Sequence, residues 1–485
     1  MIIQVDVVKK GLFFCSITHS ELGNAKMRTE TIDFILNGLL KTGHDKKRYN
    51  TSTQPNSNGD NGDYIYNRRK TFLLLSADSF CNEVREVQKD WLKFGLFTLK
   101  IKYKMVRIVT LLLILCCSLC IAQPKVLIGI EQIDVYMPKL EKKRVALLVN
   151  QTSALGHVHL ADLLKSMKVD VRKIFSPEHG FRGEAAAGEH VNDSTDPKTG
   201  FPVVSLYGDN RKPTPEQLKD VDVVIFDIQD VGARFFTYIS TLHYLMEACA
   251  ENNKQVIILD RPNPNAYVDG PVKHPETKRN FLGMHPIPAT HGMTVGEYAQ
   301  MINGEGWLAG GKKCELEIIR MKFWTRGDFY SIKIKPSPNL PNDHAIALYP
   351  SVCFLEQTAI SIGRGTQTPF EIIGNPLLKD LPYQFTPVDI KGMAIDPPHE
   401  NQLCYGYDLR NDPEPKKVSI KYLIDMYKLY PDKENFFGKN FDNIAGNSTL
   451  KEQIKQGMTE EQIRETWKKD LEAFKEMRKK YLIYQ

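Results

Sequence analysis

Beyond about Val126, apolar runs of five or six residues alternate with stretches whose apolar side chains recur every three or four positions. Arg144-Val145-Ala146-Leu147-Leu148-Val149 is nearly all apolar, as a strand buried on both faces must be. Leu160, Leu163, Leu164 and Met167 then fall on one helical face. Val169–Phe175 alternates as a strand, and Pro202–Leu206 is another. Thr214 followed by Pro215 marks a helix start. Val221–Phe226 is a strand, Leu242, Tyr244, Leu245 and Ala248 share a helix face, and Gln255–Leu259 is a fifth strand. This alternation predicts an α/β fold with a doubly wound, mostly parallel sheet over residues 123–275. Past Gly270 the rhythm breaks and proline, aromatic and polar residues dominate. Thr294 with Glu297 forms a capping box, Cys314–Arg320 alternates as a strand, and 336–342 is a proline-stiffened loop. Thr459 with Gln462 opens a last helix whose apolar stripe is Ile463, Trp467, Leu471, Phe474, Met477 and Tyr481. Residues 276–485 are therefore expected to form a second, smaller α+β domain that completes a cleft.

The segment before this has another character. Residues 49–63 are a polar run of the kind that does not fold. Residues 105–122 have a basic start, an apolar middle and a small residue before Gln123, the pattern of a secretory signal peptide. The apolar run falls short of the ~20 residues that span a bilayer, which disfavours a membrane anchor. Leu119 before Cys120 disfavours a lipoprotein site. Because such a signal belongs at an N-terminus, Met105 is expected to be the start, with residues 1–104 a mis-extended or disordered region. The mature protein is then exported, to the periplasm, with no membrane attachment.

The chain has 485 residues, a formal net charge of +6, 25% charged and 42% hydrophobic residues. The charge is small for the length, and no basic stripe with interleaved aromatics points to nucleic acid. Nine cysteines are present, of which Cys249, Cys314, Cys353 and Cys404 fall in the mature part without any CxxC pair. Buried free thiols are expected, not disulfides or zinc.

Candidate chemistry lies where the strands end, since doubly wound sheets bind ligands beyond the carboxyl ends of their strands. Those ends carry Asn150, Glu178, Tyr207, Asp227 with Gln229, and Asp260 with Arg261. The second is the densest. Pro177 stops the strand, Gly180 and Gly183 permit a tight loop, and Glu178, His179 and Arg182 stand within five residues. No glycine fingerprint follows the first strand, no phosphate loop appears, and no nucleophile elbow is present. Neither cofactor nor metal is expected; a metal at His179, Asp227 and Asp230 has no recognised spacing. Glycoside hydrolysis fits better, since it needs one carboxylic acid at the leaving oxygen and usually a second carboxylate. Glu178 is the candidate acid, and Asp227, Asp230 or Asp260 the second group or a holder of sugar hydroxyls. Tyr207, Phe235, Phe236 and Tyr238 are candidates for stacking on a sugar ring, although core packing is the commoner use of each.

Four stretches carry a family resemblance: 149–153 (VNQTS), 176–183 (SPEHGFRG), 226–238 (FDIQDVGARFFTY) and 260–264 (DRPNP). With 291–294 (HGMT), 338–341 (PNLP) and 363–366 (GRGT), they make the chain from about Val126 to Gln485 resemble the exo-β-N-acetylmuramidase family. The resemblance implies a Rossmann-like N-terminal domain, a smaller C-terminal domain and release of terminal N-acetylmuramic acid from the non-reducing end of peptidoglycan fragments. Disaccharides or muropeptides would be the partners. The glutamate at the position of Glu178 is the one that the family suggests as catalytic. Asp227 is expected to assist it. Asn150, His179, Arg182, Tyr207, Gln229, Arg234, Tyr238, Asp260, Arg261, Asn263, His291, Asn339 and Arg364 are expected to bind substrate. The sugar's 2-acetamido group is an alternative internal nucleophile. A site selecting muramic acid should pair an arginine with the lactyl carboxylate; among Arg182, Arg234, Arg261 and Arg364, the first and last are favoured. The rival reading is a non-catalytic cell-wall sugar-binding protein. A third, a cell-wall amidase or esterase, lacks a nucleophile motif.

If Met105 begins a signal peptide, the secreted protein starts near Gln123, and a form lacking residues 1–122 folds and acts normally. N-terminal sequencing of the native protein checks this; finding residues 1–104 attached would refute it.

Overall fold

The computed structural model describes residues 2–8, 12–18, 77–119, 125–178, 180–183, 193–208 and 210–484. It divides into two units, residues 1–121 and 122–485. In the first, Ile2–Val8 and Leu12–Thr18 pair as an antiparallel hairpin, and Ala77–Leu119 is a 43-residue helix that runs through Met105 without a break. No helix among the described residues is long and apolar enough to cross a membrane. The polar run 49–63 lies outside the described residues.

The second unit is built on one sheet. Its strands are β1 (Val145–Val149), β2 (Val171–Ser176), β3 (Ser194–Thr195), β4 (Pro202–Ser205), β5 (Val223–Asp227), β6 (Gln255–Leu259) and β7 (Glu315–Ile319). Their spatial order is β7-β6-β5-β1-β2-β4-β3, and every pair is parallel except β3 with β4. The chain thus starts in the middle, winds outward through β2 and β4, then returns to wind the other way through β5, β6 and β7. That is the doubly wound order, and its reversal point lies between β1 and β5.

The two-residue period of a strand decides which core each side chain joins. Val145, Leu147, Val149, Ile174, Val223, Ile225 and Ile257 pack on one face, while Ala146, Leu148, Phe175, Val224, Phe226, Val256 and Ile258 pack on the other. Helices cover both faces. Helix α1 (Leu160–Ser166) places Leu160, Ala161 and Leu164 in the first core. Helices α2 (Pro215–Leu218), α3 (Tyr238–Glu251) and α4 (Val295–Gly304) serve the second, through Leu218, Leu242, Leu245, Met246, Tyr298 and Ala299. Capping boxes at Thr214 and Thr294 satisfy the first backbone N–H groups of α2 and α4; the sequence predicts the box at Thr294, and at Thr214 a helix start before Pro215.

Strand β7 differs from expectation. It lies past the boundary drawn at residue 275, yet it pairs with β6 at the edge of the main sheet, with Ile258 opposite Ile318. An edge strand needs an apolar face on one side only, which is why it alternates Glu315, Leu316, Glu317, Ile318. Beyond it come α5 (Asp343–Val352) and a separate antiparallel sheet of β8 (Ile372–Asn375), β9 (Tyr383–Phe385) and β10 (Cys404–Asp408), ordered β8-β10-β9. Helix α6 (Lys421–Leu429) follows, then α7 (Glu460–Lys479), capped by Thr459 and burying Ile463, Trp467, Leu471 and Phe474. After α7, the Tyr484 hydroxyl donates to Asp260 Oδ2 at 2.8 Å and accepts from the Met321 N–H at 2.9 Å, which fastens the chain end to the sheet. Cys249, Cys314, Cys353 and Cys404 are free and buried, as expected.

The ends of β5 and β6 are locked together. Arg261 Nε and Nη2 meet Asp227 Oδ1 and Oδ2 at 2.5 and 3.0 Å, and both side chains are almost wholly buried. Removing one partner strands a charge away from water, a loss of about 3–5 kcal/mol. Arg261→Leu should therefore lower unfolding stability by that order, and adding Asp227→Asn should recover part of it. Urea unfolding of the single and double variants checks this; strictly additive losses would mean the two groups are not coupled.

Candidate active site

Glu178 sits just past β2. Pro177 ends the strand and the Gly180 N–H closes a turn on the Pro177 carbonyl at 3.1 Å, with Gly180 in the left-handed region at φ 79°. The ladder to β4 continues for one more bond, Leu206 N–H to the Ser176 carbonyl, so Tyr207 emerges beside Glu178. Its hydroxyl donates to Glu178 Oε1 at 3.1 Å. Thr237, the residue before α3, donates its hydroxyl to Glu178 Oε2 at 2.9 Å. Two hydroxyls from different elements thus fix the plane of a half-buried carboxyl. Burial and the Glu178 charge push the Tyr207 hydroxyl up to about 12, so it stays a donor at neutral pH.

This carboxyl opens into a cavity of about 140 Å³. Phe235, Phe236, Tyr238, Tyr349 and Phe370 form aromatic walls, with Phe236 edge-on to Tyr238 and Tyr349 at 4.9 and 5.7 Å. Leu282, Ser337 and Leu340 contribute as well, and Glu356 and Arg364 supply an ion pair. The Tyr238 hydroxyl holds the Pro336 carbonyl at 3.1 Å, which anchors the 336–342 loop over the strand ends. Strand-end loops thus build one side of the cavity, and the segments after residue 336 build the other.

A second cavity, of about 430 Å³, lies by the reversal point and is lined by Thr152, Gln229, Arg261, Glu131 and Tyr330 among others. Its carboxylate is spoken for: Glu131 Oε2 accepts the Ile128 N–H and Oε1 accepts from Lys125, both at 2.9 Å.

Of the residues expected at the site, Glu178, Tyr207, Tyr238 and Arg364 come together. The others have structural work. Asp227, expected as the assisting carboxylate, has both oxygens held by Arg261 and lies outside the Glu178 cavity. Arg182 is bound by Asp196 and Asp162. Arg234 is buried and donates to the Ile444 and Ala445 carbonyls, where a short helix ends. Asp260 receives Thr294 Oγ1, the Gly296 N–H and Tyr484 Oη; burial raises it to about 6 despite those donors. Asn150 accepts from Thr152, Asn263 donates to the Met293 carbonyl, and Asn339 to the Met393 carbonyl. Gln229 bridges the Asp230 and Pro262 carbonyls. His291 is buried, its Nδ1 accepting the Met293 N–H. His179 lies outside the described residues. No group of three or more potential metal ligands is found among those described.

Thr237 and Glu356 were not expected. Thr237 had a signal, standing between two candidate aromatics at a helix start. Glu356 had none: it comes from a 3₁₀ turn, Cys353–Gln357, with no strand end or glycine beside it.

Known proteins bear on this geometry. Residues 145–344 match the family model described as the N-terminal part of exo-beta-N-acetylmuramidase NamZ, and residues 347–484 match its C-terminal part. The chain is 39% identical over 388 residues to the peptidoglycan beta-N-acetylmuramidase NamZ of Bacillus subtilis (strain 168), an alignment covering 75% of this chain and 92% of that one. Two crystal structures of DUF1343 family proteins from Bacteroides fragilis NCTC 9343 superpose with TM-scores of 0.70 and 0.64, at 44% and 34% identity. Each match covers 74% of this chain and 99% of the other. The protein is a glycoside hydrolase, which sets aside the non-catalytic reading. More particularly, it belongs to the exo-β-N-acetylmuramidase NamZ family.

Asp230 provides a test of the electrostatics beside the site. It is wholly buried, Oδ2 accepts only the Gly232 N–H, and Oδ1 has no partner. Burial raises it from 3.8 to about 7. In the unfolded chain it ionises near 3.8, so between pH 4 and 7 the unfolded state sheds a proton that the folded state keeps. Its contribution to stability therefore falls as pH rises through that window. Asp230→Asn removes the penalty, and its melting temperature relative to wild type should be several degrees higher at pH 8 than at pH 4.5. An equal difference at both would show that the group ionises freely in the fold.

Proposed function

We propose that this enzyme releases terminal β-1,4-linked N-acetylmuramic acid from the non-reducing end of peptidoglycan fragments, with Glu178 as the general acid. One observation carries the residue assignment: Glu178 is the carboxyl that two hydroxyls orient at a cavity walled by aromatic rings. The other carboxylate lining that cavity, Glu356, is committed to Arg364 at 2.6 Å.

In the reaction, the Glu178 O–H gives its proton to the glycosidic oxygen as the C1–O bond breaks. The departing sugar leaves as an alcohol, and the carboxylate left behind is received by the Tyr207 and Thr237 hydroxyls. With Glu356 held in its ion pair, Glu178 is the one free carboxyl among the described residues that line the cavity. That is the arrangement of glycosidases in which the 2-acetamido oxygen of the substrate attacks C1 and water later opens the intermediate. The signal-like segment 105–122 and a cell-wall substrate together support an exported enzyme that meets disaccharides or muropeptides outside the cytoplasm.

General-acid catalysis typically contributes ~10²–10⁴-fold. Glu178→Gln keeps the shape and both hydroxyl contacts but delivers no proton. Its turnover of the natural disaccharide should collapse by that factor while sugar binding and melting temperature stay near wild type. A substrate with an acidic phenolic leaving group should suffer less. Disaccharide cleavage within a few-fold of wild type would place the acid elsewhere.

A further inference from the structure

Resting on that reading of the substrate, we propose that Arg364 selects N-acetylmuramic acid over N-acetylglucosamine by pairing its terminal guanidinium edge with the lactyl carboxylate, and that Glu356 is the positioning residue that turns this edge into the cavity. The two sugars differ only by the 3-O-lactyl group, so a site that distinguishes them must recognise a carboxylate or the space it fills.

Arg364 is the one basic residue lining the Glu178 cavity among those described. The three other candidate arginines lie outside this cavity: Arg182 is paired with Asp162 and Asp196, Arg261 with Asp227, and Arg234 is buried, its Nη2 on two carbonyls and its Nε and Nη1 without a hydrogen-bond partner among the described residues. Arg364 is engaged on one edge only. Its Nε donates to Glu356 Oε1 at 2.6 Å, and Nη1 and Nη2 have no hydrogen-bond partner among the described residues. A guanidinium takes a carboxylate in two parallel bonds, and with Nε occupied the Nη1–Nη2 edge is the one left to do so. Glu356 is itself held, its Oε2 accepting from Cys353 Sγ at 3.3 Å.

The loop that carries Arg364 has little freedom. Gly363 and Gly365 both sit at φ 79°, and a Cβ on Gly365 would come within 2.6 Å of the Val388 carbonyl. The Thr366 N–H and hydroxyl both bond back to the Gly363 carbonyl. The guanidinium lies 5.3 Å from the centre of the Phe370 ring, and Phe370 itself is held in the left-handed region at φ 64°. A left-handed phenylalanine costs energy that the surroundings must offset, and such residues gather at ligand sites. Ring, ion pair and turn leave the guanidinium pre-set before substrate arrives.

The test compares kcat/KM on 4-nitrophenyl glycosides of N-acetylmuramic acid, its lactyl amide and N-acetylglucosamine, with inhibition by the free sugars read alongside. Wild type should prefer the free acid to the amide by about ten- to a hundredfold, the scale of a charge-assisted pair. Arg364→Ala should lose that factor on the free acid, change little on the amide and the glucosaminide, and no longer distinguish acid from amide. Arg364→Lys should restore part of the loss. Glu356→Gln should lose less than Arg364→Ala, and on the free acid alone. Arg364→Ala losing equally on all three substrates, or wild type treating acid and amide alike, would overturn the clamp. A wild-type enzyme that cleaves no muramide at all, in protein that melts normally, would overturn the substrate reading instead.

Discussion

The buried ion pair between Asp227 and Arg261 sets what the rest of the floor can be. It closes the ends of β5, which flanks the reversal point, and its neighbour β6, with two bonds between groups that are almost wholly buried. Charges desolvated to this degree are tolerable only when each fully compensates the other. One consequence is structural: the loops that carry Gln229, Asp230, Pro262 and Asn263 leave the sheet from a fixed pair of points. The other is chemical. An aspartate at the centre of the floor, where a catalytic group would be sought, is held in an ion pair, and the carboxyl that opens into the aromatic-walled cavity, Glu178, lies instead on the far side of β1, after β2.

Much of the sheet could be read before any coordinate was known, because parallel strands covered on both faces must be continuously apolar. Val145–Val149, Val223–Asp227 and Gln255–Leu259 announce themselves in that way. Strand β7 was legible as a strand but not as part of this sheet. Its alternating pattern suits either a small antiparallel sheet or an edge, and only the topology decides. At the site, Glu178 and Tyr207 were legible because both stand at strand ends next to chain-breaking residues. Which polar strand ends are free was not legible. Asp227 and Glu178 look alike in sequence, and they differ only because β6 delivers an arginine beside the first and β4 a tyrosine beside the second. Glu356 reaches the cavity through tertiary packing alone, 178 positions along the chain from its fellow carboxyl.

The cavity is divided between two kinds of structure. One wall is made by loops whose roots are pinned in a sheet buried on both faces. The other comes from the 336–342 loop, α5, the 3₁₀ turn and the glycine-flanked Arg364. The first wall carries Glu178, and the second carries the Glu356–Arg364 pair. Contacts such as Tyr238 to the Pro336 carbonyl and Gln151 to the Lys335 carbonyl, at 3.1 and 3.0 Å, tie the two walls into one unit.

The anchoring of Tyr484 also bears on the order in which the molecule assembles. Its hydroxyl bridges Asp260, at the end of β6, and the backbone of Met321, just past β7, across 224 and 163 positions of sequence. Contacts between residues so far apart form late, because the intervening chain must first be brought to order. The edge of the main sheet therefore waits for the segment after α7 to dock before its polar groups are satisfied. Until then Asp260 lacks one of its three side-chain and backbone donors from outside its own strand end, and the folding molecule holds an unfinished sheet.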